Sequence, residues 1–203
     1  METAFPWNVT LFHLINASDA PNASLVPIAR GLAVSTPWLA VGALVFFWLF
    51  GTVITRRSLM IAGIALGLGL AANFTIAFLT YVPRPFELGI GNTLLSHGRE
   101  TSFPSDHATF LWSLGFGLLM TRPLRWLGTI IFGLGLATAW ARVYLGVHFP
   151  LDMAASFVIA LLAASIAQAV AGKLERVLFQ PVERINTVLL RPFHRPGAKG
   201  DER

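Results

Sequence analysis

Three short polar segments, each at the edge of a long apolar run, carry the residues that could do chemistry in this chain. They are 84–86 (Arg-Pro-Phe), 103–107 (Phe-Pro-Ser-Asp-His) and 141–152 (Ala-Arg-Val-Tyr-Leu-Gly-Val-His-Phe-Pro-Leu-Asp). Together they supply two arginines, two histidines, a serine and two aspartates. Ionisable side chains beside bilayer-length segments are costly and mark functional sites. If the three segments meet, this set fits hydrolysis of a phosphate ester or anhydride.

Two arginines and a helix start provide the groups that bind phosphate. Phosphoryl transfer needs positive charge on the equatorial oxygens, a nucleophile, and an acid for the leaving group. Arg84 and Arg142 can each hold phosphate through two N–H groups. Pro104 and Ser105 begin an apolar run and predict a helix start, where free backbone N–H groups bind anions. The Ser105 hydroxyl adds one further donor.

The nucleophile and the acid are predicted from the two histidines. Pro150 suits the first turn of a helix, which leaves His148 just before that helix and Asp152 in its first turn. A histidine can attack phosphorus when one ring nitrogen is unprotonated, and a carboxylate on the other N–H fixes that tautomer. We therefore expect His148 to attack and Asp152 to orient it. His107, from a different helix, would protonate the leaving oxygen and later activate water.

Each residue taken alone also has a plainer interpretation. A histidine at a membrane edge is more often an interfacial hydrogen-bonding group, an Arg-Pro pair is usually a turn signal, and Pro-Ser-Asp-His is a weak helix-start motif. A His/Asp metal site is a further alternative, although the spacing does not match zinc and we predict no metal ligand. Magnesium held by substrate oxygens stays open. The coincidence of three such segments favours the catalytic interpretation.

Composition indicates that these segments are positioned by membrane helices. The chain has 203 residues, of which 55% are hydrophobic and only 12% charged, about half the charged fraction of a soluble domain. The net charge of +5 does not indicate nucleic acid, because the basic residues lie between apolar runs instead of forming a patch with aromatics. The chain lacks cysteine, which excludes disulfides and thiolate metal sites.

Five apolar runs predict an all-α, polytopic membrane helix bundle. They cover 36–54, 58–80, 105–120, 126–147 and 150–172, lengths that suit a hydrocarbon core of about 30 Å. A sixth apolar stretch, 23–34, is too short to span comfortably and would lie at the interface or form a short first membrane helix in addition to the five. We expect a membrane phosphatase domain over 1–172 and a basic cytoplasmic tail over 173–203. That tail is either an amphipathic helix on the inner leaflet or solvated.

The distribution of basic residues predicts the orientation. The 55–57 turn, the 121–125 turn and the tail together hold 11 of the 15 Lys and Arg residues, so that side is cytoplasmic by the positive-inside rule. Parity then places the 81–104 loop and the 141–149 turn together on the opposite side. Near the N-terminus, Asn-x-Ser/Thr triplets begin at Asn8, Asn16 and Asn22. They would be glycan acceptors in a eukaryotic lumen, or chance in a loop rich in Asn and Ser.

The segments resemble the signature of the type-2 phosphatidic acid phosphatase superfamily. Arg-Pro, Pro-Ser-x-His and Arg-x5-His-x3-Asp occur in that order, and the resemblance covers about residues 55–172. It implies a helical membrane core and phosphatase chemistry without a metal or other cofactor. It also implies a phosphohistidine at His148, with Asp152 orienting it and His107 as general acid. Arg84, Ser105, Arg142 and the backbone N–H of Asp106 resemble the phosphate ligands.

Three positions depart from the superfamily pattern. A lysine usually precedes the motif arginine by seven residues, and that position is Ala77, with Arg99 as a candidate replacement. The usual glycine of Pro-Ser-Gly-His is Asp106, and the usual serine of the third motif is Ala141. The three segments look most like the bacitracin-resistance type of undecaprenyl pyrophosphate phosphatase. That resemblance implies a polyprenyl diphosphate substrate, an active site outside the bacterial inner membrane, and return of the carrier lipid to cell-wall synthesis.

Overall fold

The structure, a computed structural model, describes residues 6–190 and consists of helices joined by short turns and one long loop. The long loop, 80–105, contains a single 3₁₀ turn, Pro85–Leu88. A π-helical turn, Glu175–Phe179, separates the last two helices. The α-helices are α1 (Pro6–Ile15), α2 (Leu25–Phe50), α3 (Val53–Leu79), α4 (Asp106–Leu119), α5 (Arg125–Tyr144), α6 (Pro150–Leu174) and α7 (Gln180–Leu190). The all-α prediction is confirmed.

Helix α4 is the centre of the bundle, since α3, α5 and α6 all pack against it. Nine of its 14 residues are buried, and leucines on the α2–α3–α5 side form its largest apolar contact. The small residues Gly115 and Gly117 allow close approach, because a Cβ at either position would press on the neighbouring helix. A 14-residue helix is shorter than a bilayer requires. Enclosure by other helices reduces that requirement, because most of its residues are buried against protein.

Four helical stretches of the described chain are long and apolar enough to cross a membrane: Leu25–Phe50, Val53–Leu79, Arg125–Tyr144 and Pro150–Val188. The protein is therefore a multi-pass membrane protein. The expectation of a separate segment at 23–34 is wrong. Most of these residues belong to the first half of α2, and that helix continues through Pro37. Proline removes one helical hydrogen bond, and a membrane helix tolerates this where a neighbour satisfies the freed carbonyl.

The loops predicted to share one side do lie at the same end of the bundle. In the 80–105 loop, the N–H of Leu94 donates to the Leu145 carbonyl at 3.0 Å. Gly146 makes this approach possible, because its φ is +78° and a Cβ there would collide with the Asn92 carbonyl. At the opposite end, Arg56 holds Glu183 through two hydrogen bonds of 2.7 and 2.9 Å. The three polar segments therefore converge at one end.

The described part of the C-terminal tail, 173–190, continues α6 through the π-helical turn into α7. Phe179 is buried against α3 and α6, and Arg57 pairs with Glu175 at 2.9 Å. Val177, Ile185 and Val188 expose their apolar side chains, as an amphipathic helix on a membrane surface requires. Contact with the inner leaflet stays a prediction, and residues 191–203 lie outside the described range.

The N-terminal segment closes the end of the bundle that holds the polar segments. Asn16, just after α1, donates from Nδ2 to the carbonyls of Asn92 and Tyr144 at 2.9 and 3.0 Å. Its Oδ1 accepts the Asn92 N–H at 2.7 Å. Asn8, on α1, accepts the N–H of Leu151 at 2.9 Å. These bonds connect the N-terminal segment to the long loop and to the ends of α5 and α6.

The asparagines of the three triplets therefore have roles in the fold. Asn8 is buried and Asn16 is fully engaged, so a glycan on either would break the bonds described above. Asn22 caps the start of α2, since its Oδ1 accepts the N–H of Ser24 at 2.9 Å. These contacts argue against glycans on Asn8 and Asn16, and the chance occurrence of the triplets stays a prediction.

We expect Asn16→Ala to lower the free energy of unfolding by about 2 kcal/mol, because it leaves buried backbone groups of the loop and of α5 without partners. Thermal unfolding of the purified protein in detergent measures this. Ser18→Ala is the matched control, because it removes the same triplet and only an exposed hydrogen bond to Ala20. Equal unfolding temperatures for the two variants would contradict the structural role of Asn16.

Candidate active site

His148 and Asp152 meet at the start of α6, as their spacing predicts. Both side chains are buried, and His148 Nδ1 lies 3.2 Å from Asp152 Oδ2. The same carboxylate oxygen accepts the backbone N–H of Phe149 at 2.8 Å. It also accepts the hydroxyl of Ser102 at 2.5 Å, and Ser102 Oγ lies 3.4 Å from His148 Nδ1. Three donors thus hold the carboxylate in a single orientation.

Arg84 fixes the tautomer of His148. Arg84 Nη1 lies 3.2 Å from His148 Nε2, and since arginine has only donors, Nε2 must be the unprotonated acceptor. The proton of a neutral ring is then on Nδ1, which faces Asp152. Nε2 is therefore the unprotonated nitrogen, and its electron pair, which accepts the Arg84 N–H here, is the one that attack on phosphorus would use.

The long loop and the turn between α5 and α6 hold Arg84 in place through main-chain carbonyls. Its Nε donates to Glu100 at 3.0 Å, its Nη2 to Thr101 at 3.1 Å, and its Nη1 to Val147 at 3.0 Å. Its own backbone N–H donates to the Glu87 carboxylate at 2.9 Å. The guanidinium is buried, and these three carbonyls together with His148 Nε2 accept four of its five N–H groups, which leaves one N–H on Nη2 for a ligand. Arg84 therefore presents a fixed positive charge to the Nε2 side of the imidazole.

Arg142 is anchored by the proline in α2. Pro37 has no N–H to give to the Ala33 carbonyl four residues earlier, and Arg142 Nη1 donates to that carbonyl at 3.3 Å. Arg142 Nη2 lies 2.9 Å from Nε2 of His97. The buried Nε of Arg142 has no hydrogen-bond partner among the described residues. Such a donor is rare in a folded interior and is typical of a ligand site.

Ser105 lies at the start of α4, as predicted, and its side chain is also buried without a hydrogen-bond partner in the described chain. Its carbonyl accepts the hydroxyl of Ser156 on α6 at 2.9 Å, which fixes the start of α4 against the helix that carries Asp152. The hydroxyl of Ser105 and the Nε of Arg142 are therefore two buried donors suited to phosphate oxygens.

Asp106 and His107 pair with each other. Asp106 Oδ1 accepts from both the backbone N–H and the Nδ1–H of His107, at 3.0 and 3.1 Å. His107 Nε2 is then the atom that can deliver a proton. Both residues border an apolar groove of about 210 Å³, whose other walls are Pro37, Leu70, Phe74 and Phe110. Across the described contacts, no hydrogen bond joins His107 directly to His148.

The structure locates the three departures from the superfamily pattern. Ala141 is fully buried in the apolar cluster with Ala33 and Leu145. Ala77 lies in the last turns of α3, and Arg99 is exposed. The electrostatic neighbours of Arg99 are Tyr81 and Glu87, so it lies on the outer side of the loop. The group that does contact a predicted phosphate ligand is His97.

Two functional candidates, Ser102 and His97, were missed by the motif analysis. Neither belongs to one of the three polar segments, and both lie on the 80–105 loop, whose path has no sequence periodicity. The usable signal was their location, since both are polar residues on the side predicted to hold the site.

The charges around His148 favour its neutral form. Burial lowers the pKa of His148 well below its ordinary value, and the nearby Arg142 and Arg84 lower it further. Asp106 opposes this effect. A neutral imidazole between a carboxylate and two guanidinium groups has the protonation state that attack on phosphorus requires. Within the described chain, no three His, Asp or Glu side chains converge as metal ligands.

A family model described as the PAP2 superfamily matches residues 58–176, which include all three polar segments. The chain belongs to the PAP2 superfamily.

Similar proteins extend over most of this PAP2 chain. The Escherichia coli (strain K12) protein YbjG is 33% identical over 180 residues, covering 87% of this chain and 88% of YbjG. The undecaprenyl-diphosphatase BcrC of Bacillus subtilis (strain 168) is 36% identical over 120 residues, covering 59% of this chain and 61% of BcrC. The crystal structure of Aquifex aeolicus LpxE superposes with a TM-score of 0.68 at 25% identity, covering 80% of this chain and 95% of that one.

Within the PAP2 framework, the electrostatics of His148 lead to a prediction. We expect its ring to be neutral at pH 6.5 with the proton on Nδ1, and to become protonated only below its ordinary pKa of about 6.5. When the pH falls below this lowered pKa, the ring gains a positive charge that Arg84 and Arg142 repel. The other polar neighbours of the ring are Asp106, His97, Asp152 and Ser102. Chemical shifts of ¹⁵N-labelled histidine rings measure both properties.

The chain has five histidines, so the signals of His148 can be assigned by comparison with the His148→Gln spectrum. A ring that is half protonated at pH 6.5 or above, or one that carries its neutral proton on Nε2, would contradict the geometry described here.

Proposed function

We propose that this PAP2 protein hydrolyses undecaprenyl diphosphate to undecaprenyl phosphate and inorganic phosphate through a phosphohistidine at His148. The observation that carries the proposal is the His148 imidazole, whose Nδ1 faces Asp152 and whose Nε2 faces Arg84. The name of the similar Bacillus subtilis protein, undecaprenyl-diphosphatase, supports the substrate. The apolar groove beside His107 supports a lipid substrate in general.

In the first step, the Nε2 electron pair of His148 attacks the terminal phosphorus. The bond from that phosphorus to the bridging oxygen breaks, and the proton on His107 Nε2 goes to the bridging oxygen as undecaprenyl phosphate leaves. The Nδ1–H stays between His148 and Asp152, which stabilises the positive charge that develops on the ring. Arg84, Arg142 and Ser105 neutralise and hold the three equatorial oxygens.

In the second step, His107 works in the opposite direction. Its unprotonated Nε2 takes a proton from a water molecule, the water oxygen attacks phosphorus, and the N–P bond returns its electron pair to His148. Inorganic phosphate leaves, and both histidines regain their starting protonation states. The Asp106–His107 hydrogen bond keeps Nε2 as the proton-carrying atom in both steps.

We expect the purified protein to release phosphate from undecaprenyl diphosphate, and His148→Gln to lose this activity by about three orders of magnitude or more, because the nucleophile is removed. Phosphate release over a panel that includes phosphatidylglycerol phosphate and lipid A phosphates measures the substrate class. His13→Gln is the matched control, because His13 is an exposed histidine of α1 and should retain full activity.

Retention of wild-type turnover by His148→Gln would eliminate the phosphohistidine mechanism. Preferred hydrolysis of a phospholipid phosphate, or transfer of phosphate to another lipid, would assign the site to a different member of the lipid phosphatase class. Phosphate-lipid binding without turnover would indicate a non-catalytic protein. A chelator arm belongs to the assay, and we expect it to leave the rate unchanged.

We further propose that the active-site end faces outside the bacterial inner membrane and that the C-terminus is cytoplasmic. The support is the concentration of basic residues at the end that holds Arg56, Arg57 and α7, where the positive-inside rule places the cytoplasm. Undecaprenyl diphosphate would then be cleaved in the outer leaflet.

Because the natural chain has no cysteine, single cysteines report this orientation. We expect Ser96→Cys, at an exposed position of the long loop, to react with a membrane-impermeant maleimide on intact spheroplasts. Gln180→Cys, at an exposed position of α7, should react only after permeabilisation. The reverse labelling pattern would refute the proposed orientation while leaving the chemistry untouched.

A further inference from the structure

His97 lies inside the active site although it belongs to none of the polar segments. Its Nε2 is 2.9 Å from Arg142 Nη2, and its ring centroid is 6.3 Å from that of His148, with the rings nearly perpendicular. Its neighbours in the chain, Ser96 and Gly98, are exposed. His97 therefore sits at the rim of the site, with one edge on a phosphate-binding arginine.

The contact with Arg142 defines the state of the His97 ring. An arginine N–H can only donate, so His97 Nε2 accepts and the neutral ring carries its proton on Nδ1. Nδ1 lies 3.3 Å from the Gly98 carbonyl, which can accept that proton. His97 thus occupies one N–H of Arg142 Nη2, while Nε of the same guanidinium has no partner in the described chain. A phosphate oxygen that accepted the Nη2 N–H as well would displace His97 Nε2 from it.

Position 77, where the superfamily usually has a lysine, lies close to the same site. Asn73 on α3 accepts a hydrogen bond from Thr109 on α4 at 2.8 Å, and the two helices run in opposite directions. One turn further toward the active-site end, the same faces present Ala77 and Ser105. A lysine at 77 would therefore reach the region of the Ser105 hydroxyl, whereas Ala77 supplies no donor.

We propose that His97 is a phosphate ligand that replaces this missing lysine, with the terminal phosphate of a lipid diphosphate as its ligand. The inference rests on the proposed function for the identity of the substrate. When a phosphate oxygen accepts the Arg142 N–H, His97 Nε2 takes a proton from solvent and donates it in a hydrogen bond to the same phosphate. The site thereby gains a third cationic group beside Arg84 and Arg142.

The alternative is that His97 only supports Arg142 and never contacts substrate. The two roles differ in what they change. A phosphate ligand determines the affinity for phosphate and for its analogues, and a donor placed nearby can replace it. A structural support determines folding and the orientation of Arg142, and a lysine on another helix would not restore it.

The test compares His97→Ala, His97→Gln, Ala77→Lys and the His97→Ala/Ala77→Lys double variant. The measurements are the KM for undecaprenyl diphosphate and the increase in unfolding temperature caused by orthovanadate, a phosphate analogue. We expect His97→Ala to raise the KM about 10- to 100-fold. The same variant should need about 10- to 100-fold more orthovanadate for a given increase in unfolding temperature, the range for one hydrogen bond to a charged group. His97→Gln should lie between wild type and His97→Ala, and the double variant should regain most of the loss.

Wild-type sensitivity of His97→Ala to orthovanadate would overturn the proposal. The proposal would also be overturned if His97→Ala lost its response to orthovanadate, unfolded at a lower temperature without ligand, and was not restored in the double variant. If Ala77→Lys alone disturbs folding, the order wild type, His97→Gln, His97→Ala decides the outcome. If orthovanadate stabilises the wild-type protein but the protein does not hydrolyse undecaprenyl diphosphate, the proposed substrate is wrong. The role of His97 can still be measured with orthovanadate in that case.

Discussion

The contact between Arg84 and His148 is the constraint on which the site depends. A guanidinium can only donate, so it selects the one tautomer of the imidazole whose electron pair faces the phosphate site. In a buried environment the same positive charge disfavours protonation of that ring. This hydrogen bond sets the orientation of the ring, and together with burial and Arg142 it favours the neutral form of the proposed nucleophile. Three groups of the long loop and one carbonyl of the α5–α6 turn keep the arginine where it can do this.

The membrane fold makes that arrangement rigid with few residues. Most residues of the central helix α4 are buried, so polar groups near its start, such as Ser105, can lie at the end of an apolar bundle within protein. The N-terminal segment, the long loop and the α5–α6 turn cover this end through hydrogen bonds from asparagine side chains and backbone groups. The charged groups are therefore desolvated by protein and not by the hydrocarbon itself.

Spacing and helix starts were sufficient to predict the core of the site. Asp152 follows His148 by one helical turn, and proline marks the helix start between them, so their contact could be inferred directly. The shared end of the bundle followed from counting basic residues. The loop could not be predicted, because Ser102 and His97 are positioned by its path and not by any repeat. The side chain of Asp106 was also unpredictable, since its choice of His107 depends on local rotamers.

The sequence predicts an apolar stretch over 23–34 that is separate from the next run, and the structure instead shows one continuous helix in which Pro37 leaves the Ala33 carbonyl free. Arg142 donates to that carbonyl, so one hydrogen bond both satisfies a defect in a membrane helix and positions a predicted phosphate ligand. Folding and catalysis therefore cannot be varied independently at this point. A directed-evolution campaign seeking a more robust protein by replacing this proline would restore the regular helix and, in the same step, release an active-site arginine from its anchor.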